Sequence, residues 1–110
     1  MWVAGKVKAI GVSNFSKMKL EEILPSTTVT SNLDPSYKPT IIPAVDQLEL
    51  HVYNPQHELV KFLREKGIVP QAYSPLGSSS GPLLADETIQ KIAEERGLTP
   101  ADVLIGWLSM

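Results

Sequence analysis

The sequence predicts an α/β fold of about three parallel strand–helix units. Short runs of β-branched and apolar residues alternate along the chain with longer segments whose apolar residues recur at helical spacing. Turn-forming residues separate the two kinds of segment, and such an alternation favours parallel strands joined by right-handed crossovers. The 110 residues suffice for a single partial domain over residues 1–110, and the 43% of hydrophobic residues predict a buried core.

The first unit consists of a strand, a turn and a helix. Residues 6–12, KVKAIGV, form a short β-branched run that predicts a strand ending in a Ser-Asn pair. Ser16 begins the segment SKMKLEEIL, whose apolar residues recur at helical spacing until Pro25 stops the helix. The next stretch, residues 26–43, is rich in Thr, Ser, Asn and Pro and predicts a long loop.

Two further strands follow this loop. Residues 44–50, AVDQLEL, alternate apolar and polar side chains as a strand does. Asn54 and Pro55 then offer an N-cap and a first-turn residue for the helix QHELVKFLREK, which Gly67 closes. Residues 68–73, IVPQAY, predict the third strand directly after that glycine.

The last part of the chain is predicted to contain a loop and two helices. Residues 74–82, SPLGSSSGP, predict a flexible loop. Asp86 can cap a helix that runs through Arg96, with Gly97 at its end. The apolar residues predicted to share one face of this helix are Ile89, Ile92 and Ala93. Thr99, followed by Pro and two positions later by Asp, begins another, more apolar helix.

Composition and charge exclude several classes of function. Ten Lys and Arg against twelve Asp and Glu give a formal net charge of −2, which does not indicate a nucleic-acid or membrane partner. No apolar run is long enough for a membrane span, so the cytoplasm is the expected compartment. With no cysteine and only two histidines, we expect neither thiolate catalysis nor a metal site.

Polar residues are concentrated at the carboxyl ends of the predicted strands, where parallel sheets bind their ligands. Ser13 and Asn14 end the first strand, Gln47 lies in the second, and Tyr73 and Ser74 end the third. Together they would suit a flat ligand that forms hydrogen bonds. Each of these residues could also have a purely structural role. The Ser-Asn pair could simply form a turn, Gln47 could lie on the polar face of a half-exposed strand, and Tyr73 could place its hydroxyl in water at the edge of the sheet.

Four stretches resemble consecutive segments of the aldo-keto reductases, in the family's order. They are GKVKAIGVSNFS at 5–16, PAVDQLELH at 43–51, PQHELVKFLREKGIVPQAYSPLGS at 55–78, and IAEERGLTPADVLIGW at 92–107. The chain is similar to the C-terminal half of fungal and yeast-like NADP-dependent members. The resemblance implies a partial (β/α)₈ TIM barrel and an oxidoreductase that reduces aldehydes or ketones to alcohols with NADP(H), or with NAD(H).

The resemblance also assigns cofactor-binding residues. It implies that Ser13, Asn14 and Gln47 bind the carboxamide of the nicotinamide and that Tyr73 stacks on its ring. The residues that it implies along the pyrophosphate are Ser74, Leu76 and Ser78. Stacking and amide contacts would fix the face and rotation of the ring, and so aim the hydride at the substrate.

The chain also departs from the family pattern. The family's catalytic Asp, Tyr, Lys and His all precede the GVSNF segment, so we expect a truncated chain without a catalytic residue, inactive by itself. Asp46 replaces the usual Asn and Val52 the usual Pro, and residues 31–42 read as a loop insertion.

Two other functions stay open at this point. One is a non-catalytic protein that binds the cofactor and regulates a partner, like the β-subunits of potassium channels, and the other is a generic phosphate-binding barrel fragment. If the chain is an aldo-keto reductase, the expected partner is a small-molecule carbonyl or alcohol substrate. We also expect the isolated chain to be marginally stable and to self-associate through exposed strand edges.

Overall fold

The computed structural model describes residues 4–25, 41–77 and 82–110. Strands and helices alternate through most of these residues, as the sequence predicts. Their bounds are β1 Gly11–Ser13, α1 Lys17–Ile23, β2 Val45–Glu49, α2 His57–Glu65, β3 Val69–Tyr73, a 3-10 helix Pro82–Ala85, α3 Glu87–Arg96 and α4 Pro100–Leu108.

The strands form one sheet in the order β1-β2-β3. β1 runs parallel to β2, and Ser13 lies opposite Gln47. A 2.9 Å hydrogen bond from the backbone N of Val69 to the carbonyl of Ala44 connects the start of β3 with the residue before β2. An open sheet of three parallel strands with intervening helices is the predicted architecture, a part of a (β/α)₈ barrel.

The first strand is shorter than the sequence predicts. It begins at Gly11 and not at Lys6, because only residues 11–13 lie opposite β2, at residues 45–47. A β-branched run becomes a strand only where a neighbouring strand accepts its hydrogen bonds. Gly11 stands at a close approach, since a Cβ added there would lie 3.0 Å from the carbonyl oxygen of Val45.

Helix α1 begins where the sequence predicts. Ser16 is its N-cap, and the Ser16 hydroxyl accepts a hydrogen bond of 3.4 Å from the backbone N of Lys19. The backbone N of Leu24 donates the last bond, to the carbonyl of Leu20. Pro25 follows at once, and the prediction of this helix is confirmed.

Helix α2 begins at His57, later than the predicted Asn54 cap. The Nδ2 of Asn54 instead donates a 2.9 Å hydrogen bond back to the carbonyl of Glu49, at the end of β2. Gln56 has φ 44°, in the left-handed region, and a right-handed helix cannot include it. At the other end Gly67, with φ 73°, closes the helix as predicted.

The contacts divide the chain into two compact units. The first unit comprises Met1–Leu48 and His57–Gln71, and the second comprises Glu49–Gln56 and Ala72–Met110. That residues 1–110 make one domain stays a prediction. The buried apolar residues of the first unit come from α1 and its C-cap, from β2 and α2, and from the residue before β3. They are Leu20, Leu24, Leu48, Phe62, Leu63 and Ile68.

The two C-terminal helices, in the second unit, have the caps that the sequence predicts. Asp86 caps α3 by accepting from the backbone N of Thr88, and Gly97 ends the helix with φ 64°. Thr99 and Asp102 form a capping box at the start of α4, in which each side chain accepts from the other residue's backbone N. Local signals of this kind depend only on neighbouring residues.

The second unit has a small apolar core of its own. Leu83, Ile89 and Leu104 are buried together, and the partly buried residues that pack against them are Val52, Leu76 and Val103. Ala93 is buried as predicted, whereas Ile92 stays 38% exposed. The predicted apolar face of α3 is therefore narrower than its sequence suggests.

Most of the predicted loop insertion, residues 31–42, lies outside the described residues. Residues 41 and 42 are described and belong to no helix or strand. Across the described ranges, no helix is both long enough and apolar enough to cross a membrane.

Candidate functional site

The main-chain carbonyl of Gln47 holds the turn that follows β1. It accepts a 3.0 Å hydrogen bond from Ser13 Oγ and a 2.9 Å bond from the backbone N of Asn14. Asn14 has φ 57°, in the left-handed region that Asn tolerates better than most side chains. The structure therefore brings three of the predicted site residues together, and their role in binding stays a prediction.

A buried carboxyl lies beside this turn. Asp46 is 0% exposed, and its Oδ1 accepts a 3.4 Å hydrogen bond from the backbone N of Phe15. Its Oδ2 is also buried and has no hydrogen-bond partner among the described residues. Burial raises the pKa of the Asp46 carboxyl above its ordinary value, and the hydrogen bond from Phe15 offsets part of that rise.

The Gln47 side chain is hydrogen-bonded to the neighbouring strand. Its Nε2 donates a 3.0 Å hydrogen bond to Oε1 of Gln71 in β3, and both residues are exposed. Gln71 is not among the site residues that the sequence predicts. Its position two residues before Tyr73 is the available signal, because residues two apart in a strand share a face.

The remaining predicted site residues follow β3. Tyr73 ends that strand and is half-buried, and Ser74 has φ 51° in a turn closed by a 2.9 Å bond from Gly77 N to the Ser74 carbonyl. Leu76 packs its side chain against the apolar core of the second unit. Ser78 lies outside the described residues. That Tyr73 converges with Ser13, Asn14 and Gln47 stays a prediction.

Glu49 and His51 form a polar pair at the end of β2. Nε2 of His51 lies 3.1 Å from Glu49 Oε1, and the His51 side chain is 12% exposed. Its Nδ1 is buried, and nothing in the described part of the chain is hydrogen-bonded to it. The Glu49 carbonyl accepts hydrogen bonds from the side-chain amides of Asn54, at 2.9 Å, and Gln56, at 2.8 Å. These bonds hold the segment that leads into α2.

The phenol of Tyr53 is hydrogen-bonded to a carboxylate. Tyr53 Oη donates a hydrogen bond to Asp86 Oδ2, and this bond raises the pKa of the tyrosine above its ordinary value. Within the described ranges, no three or more His, Cys, Asp or Glu side chains are grouped so that they could hold a metal ion.

The comparisons with known proteins agree on one family. The family model described as "Aldo/keto reductase family" matches residues 1–110. A D-galacturonate reductase of Hypocrea jecorina is 48% identical over 103 residues, which are 94% of this chain and 29% of that protein. The aldehyde reductase YPR1 of Saccharomyces cerevisiae is 45% identical over 103 residues, again 94% of this chain and 30% of the relative.

A solved structure agrees with the sequence comparisons. The crystal structure of MGS-M4, an aldo-keto reductase from a deep-sea metagenome library of the Medee basin, superposes with a TM-score of 0.79 at 35% identity. The match covers 97% of this chain and 35% of that one. The chain thus spans about a third of the relatives that it matches.

Proposed function

The chain belongs to the aldo-keto reductase family, and on that premise we propose that it holds and orients the nicotinamide ring for an NADP-dependent reductase. The proposed reaction is the reduction of an aldehyde or ketone to an alcohol, for which bound NADP(H) supplies the hydride. The names of two relatives support this proposal: one is an aldehyde reductase and another a glycerol 2-dehydrogenase (NADP(+)).

The arrangement of Gln47 is the observation that supports the proposal most directly. A carboxamide presents a donor NH₂ and an acceptor C=O side by side. Gln47 Oε1 has no donor among the described residues, and Ser13 Oγ donates to Gln47 but keeps lone pairs that can accept. An exposed acceptor beside an exposed hydroxyl on adjacent parallel strands fits the carboxamide of a nicotinamide.

The residues after β3 are proposed to hold the rest of the cofactor. Tyr73 would stack on the nicotinamide ring, and the chain from Ser74 to Ser78 would follow the pyrophosphate. Since Leu76 packs its side chain on the core of the second unit, its contribution would come from the backbone. Ser74 supports this assignment, because a non-glycine residue with positive φ directly after a strand is typical of functional turns.

The chain's own part in the reaction is orientation and not proton transfer. Reduction of a carbonyl leaves an alkoxide that needs a positioned acid. Tyr53 does not suit that role, since its bond to Asp86 raises its pKa. We therefore propose that the four catalytic side chains of the family have no counterpart among residues 1–110.

Titration of the purified chain with NADP⁺ tests the proposal. We expect saturable binding that weakens in Gln47→Ala, which removes the carboxamide contact. Gln90→Ala is the matched control, because Gln90 is an exposed glutamine of α3 with no place in the site, and it should bind like the unmodified chain. Equal affinities of all three proteins, or no binding by any, would overturn the proposal.

A further inference from the structure

We infer that Gln71 is a positioning residue, which fixes the rotation of the Gln47 side-chain amide so that Gln47 recognises the NH₂ group of a carboxamide. This inference rests on the proposed function and adds a specificity to it. Gln71 would select a cofactor whose ring carries a carboxamide over one whose ring carries a group without an N–H donor.

The geometry of the two amides supports the inference. The bond of 3.0 Å runs from Gln47 Nε2 to Gln71 Oε1, between neighbouring strands. It occupies one of the two N–H donors of Gln47. The Oε1 of the same amide is left exposed and has no donor among the described residues. Gln47 therefore presents an acceptor to a ligand.

The backbone of Gln47 is fixed independently of Gln71. Its carbonyl accepts from Ser13 Oγ and from the backbone N of Asn14, so the start of the Gln47 side chain is held in place. The terminal torsion of a glutamine is broad, with two orientations that exchange the oxygen and the nitrogen. A bond to Gln71 Oε1 favours one of them, because the nitrogen must then lie toward β3.

The side chain of Gln71 matters only through the atom that it presents. Gln71 keeps the Gln47 oxygen turned to the ligand through the acceptor Oε1 that it presents, and an ionised Glu at this position can only accept and would do the same. A residue that cannot accept a hydrogen bond leaves the Gln47 amide free to rotate. The amide then alternates between presenting its oxygen and presenting its NH₂ group to the ligand. This difference separates positioning from a mere packing role.

The orientation of the Gln47 amide can be tested by comparing the Kd values of two ligands. NADP⁺ has a carboxamide on its ring, and its acetylpyridine analogue has a methyl ketone, which keeps the C=O and lacks the NH₂. Both should be titrated against the 110-residue chain, and the ratio of the two Kd values gives the contribution of the NH₂ group. We expect the unmodified chain to prefer NADP⁺ by roughly fivefold, the change in Kd that one ordinary hydrogen bond brings.

Substitutions at position 71 then separate the possible outcomes. In Gln71→Leu the ratio of the two Kd values should fall toward one. Gln71→Glu keeps a hydrogen-bond acceptor at this position and should keep the ratio of the unmodified chain. Gln90→Leu is the matched control and should leave the ratio unchanged. If Gln71→Leu weakened both ligands equally and left the ratio intact, Gln71 would have only a structural role and the inference would be wrong.

Gln47→Ala distinguishes this failure from failure of the proposed function. If the ratio collapses in Gln47→Ala and not in Gln71→Leu, the carboxamide site stands and the inference about Gln71 falls. If Gln47→Ala leaves the ratio unchanged, both fall. The side-chain amide resonances of Gln47 in an NMR spectrum of the ligand-free chain give a second measurement, since their shifts should change in Gln71→Leu and much less in Gln90→Leu.

Discussion

Tyr53 donates a 2.5 Å hydrogen bond to Asp86 Oδ2, while Asp86 Oδ1 accepts from the backbone N of Thr88 and of Ile89. One carboxylate therefore joins the turn after β2 to the first turn of α3 within the second unit. The bond favours the neutral phenol and the ionised carboxylate. It accordingly raises the pKa of Tyr53 and lowers the pKa of Asp86.

Replacing Asp86 by Asn should lower the pKa of Tyr53. Asn is also a good N-cap, so α3 keeps its first turn while the charge beside the phenol disappears. The tyrosinate absorbance of the chain, followed against pH, measures this change, and Tyr53→Phe identifies the residue responsible. An absorbance titration that is the same in Asp86→Asn and in the unmodified chain would contradict the prediction.

Asp46→Asn should stabilise the chain at neutral pH. The folded-state pKa of Asp46 is raised above its unfolded value, so the folded chain holds the proton more tightly than the unfolded chain does. The contribution of Asp46 to stability is therefore fully present below the ordinary value of 3.8 and is lost as the pH rises through the folded pKa. Above that range the neutral amide of Asn should raise the free energy of unfolding by about 1–3 kcal/mol, because the folded chain then no longer has to keep a charge buried.

Urea unfolding at a series of pH values measures the effect of Asp46→Asn, and Asp102→Asn is its control with the opposite sign. Hydrogen bonds from Thr99 lower the pKa of Asp102, so its stabilisation is present above the ordinary value and lost as the pH falls through the folded pKa. The advantage of Asp46→Asn should shrink in acid, as should the disadvantage of Asp102→Asn. A constant difference for Asp46→Asn at every pH would show that its ionisation plays no part.

The purified chain should not consume NADPH with a reactive aromatic aldehyde. A positioned acid is worth ~10²–10⁴-fold in rate, and the phenol of Tyr53 is held by Asp86. The comparison is with a control without protein and with the variants His51→Ala and Tyr53→Phe. Turnover that survives repurification and falls in either variant would show that the chain contains a working acid.

The isolated chain should self-associate through its sheet. Within the described residues the sheet ends at β1 on one side and at β3 on the other, and unpaired edges of this kind recruit other strands. Light scattering after size exclusion should give a mass above 12.0 kDa that grows with concentration. Val69→Lys places a charge on β3, where the side chain is 59% exposed, and should shift the chain toward the monomer. A monomer with a sharp transition at high temperature would contradict this prediction.

The parts of the fold that the sequence predicted correctly depend on near neighbours in the chain. The caps at Ser16, Asp86 and Thr99 are of this kind, since each is satisfied within three residues. The start of β1 was wrong because a strand also needs a partner, which lies more than thirty residues away along the chain. The hydrogen bond from Gln47 to Gln71 could not be predicted for the same reason, since it joins side chains of two separate strands.

The left-handed backbone at Asn14 and Ser74 limits which amino acids evolution can place there. Both residues come directly after a strand and have φ near 50–60°. A β-branched side chain in that conformation meets its own carbonyl, at a cost of about 1–2 kcal/mol, whereas Gly, Asn and Asp fit with little strain. In a saturation library both positions should therefore disfavour the β-branched residues Val, Ile and Thr, whatever ligand the protein binds.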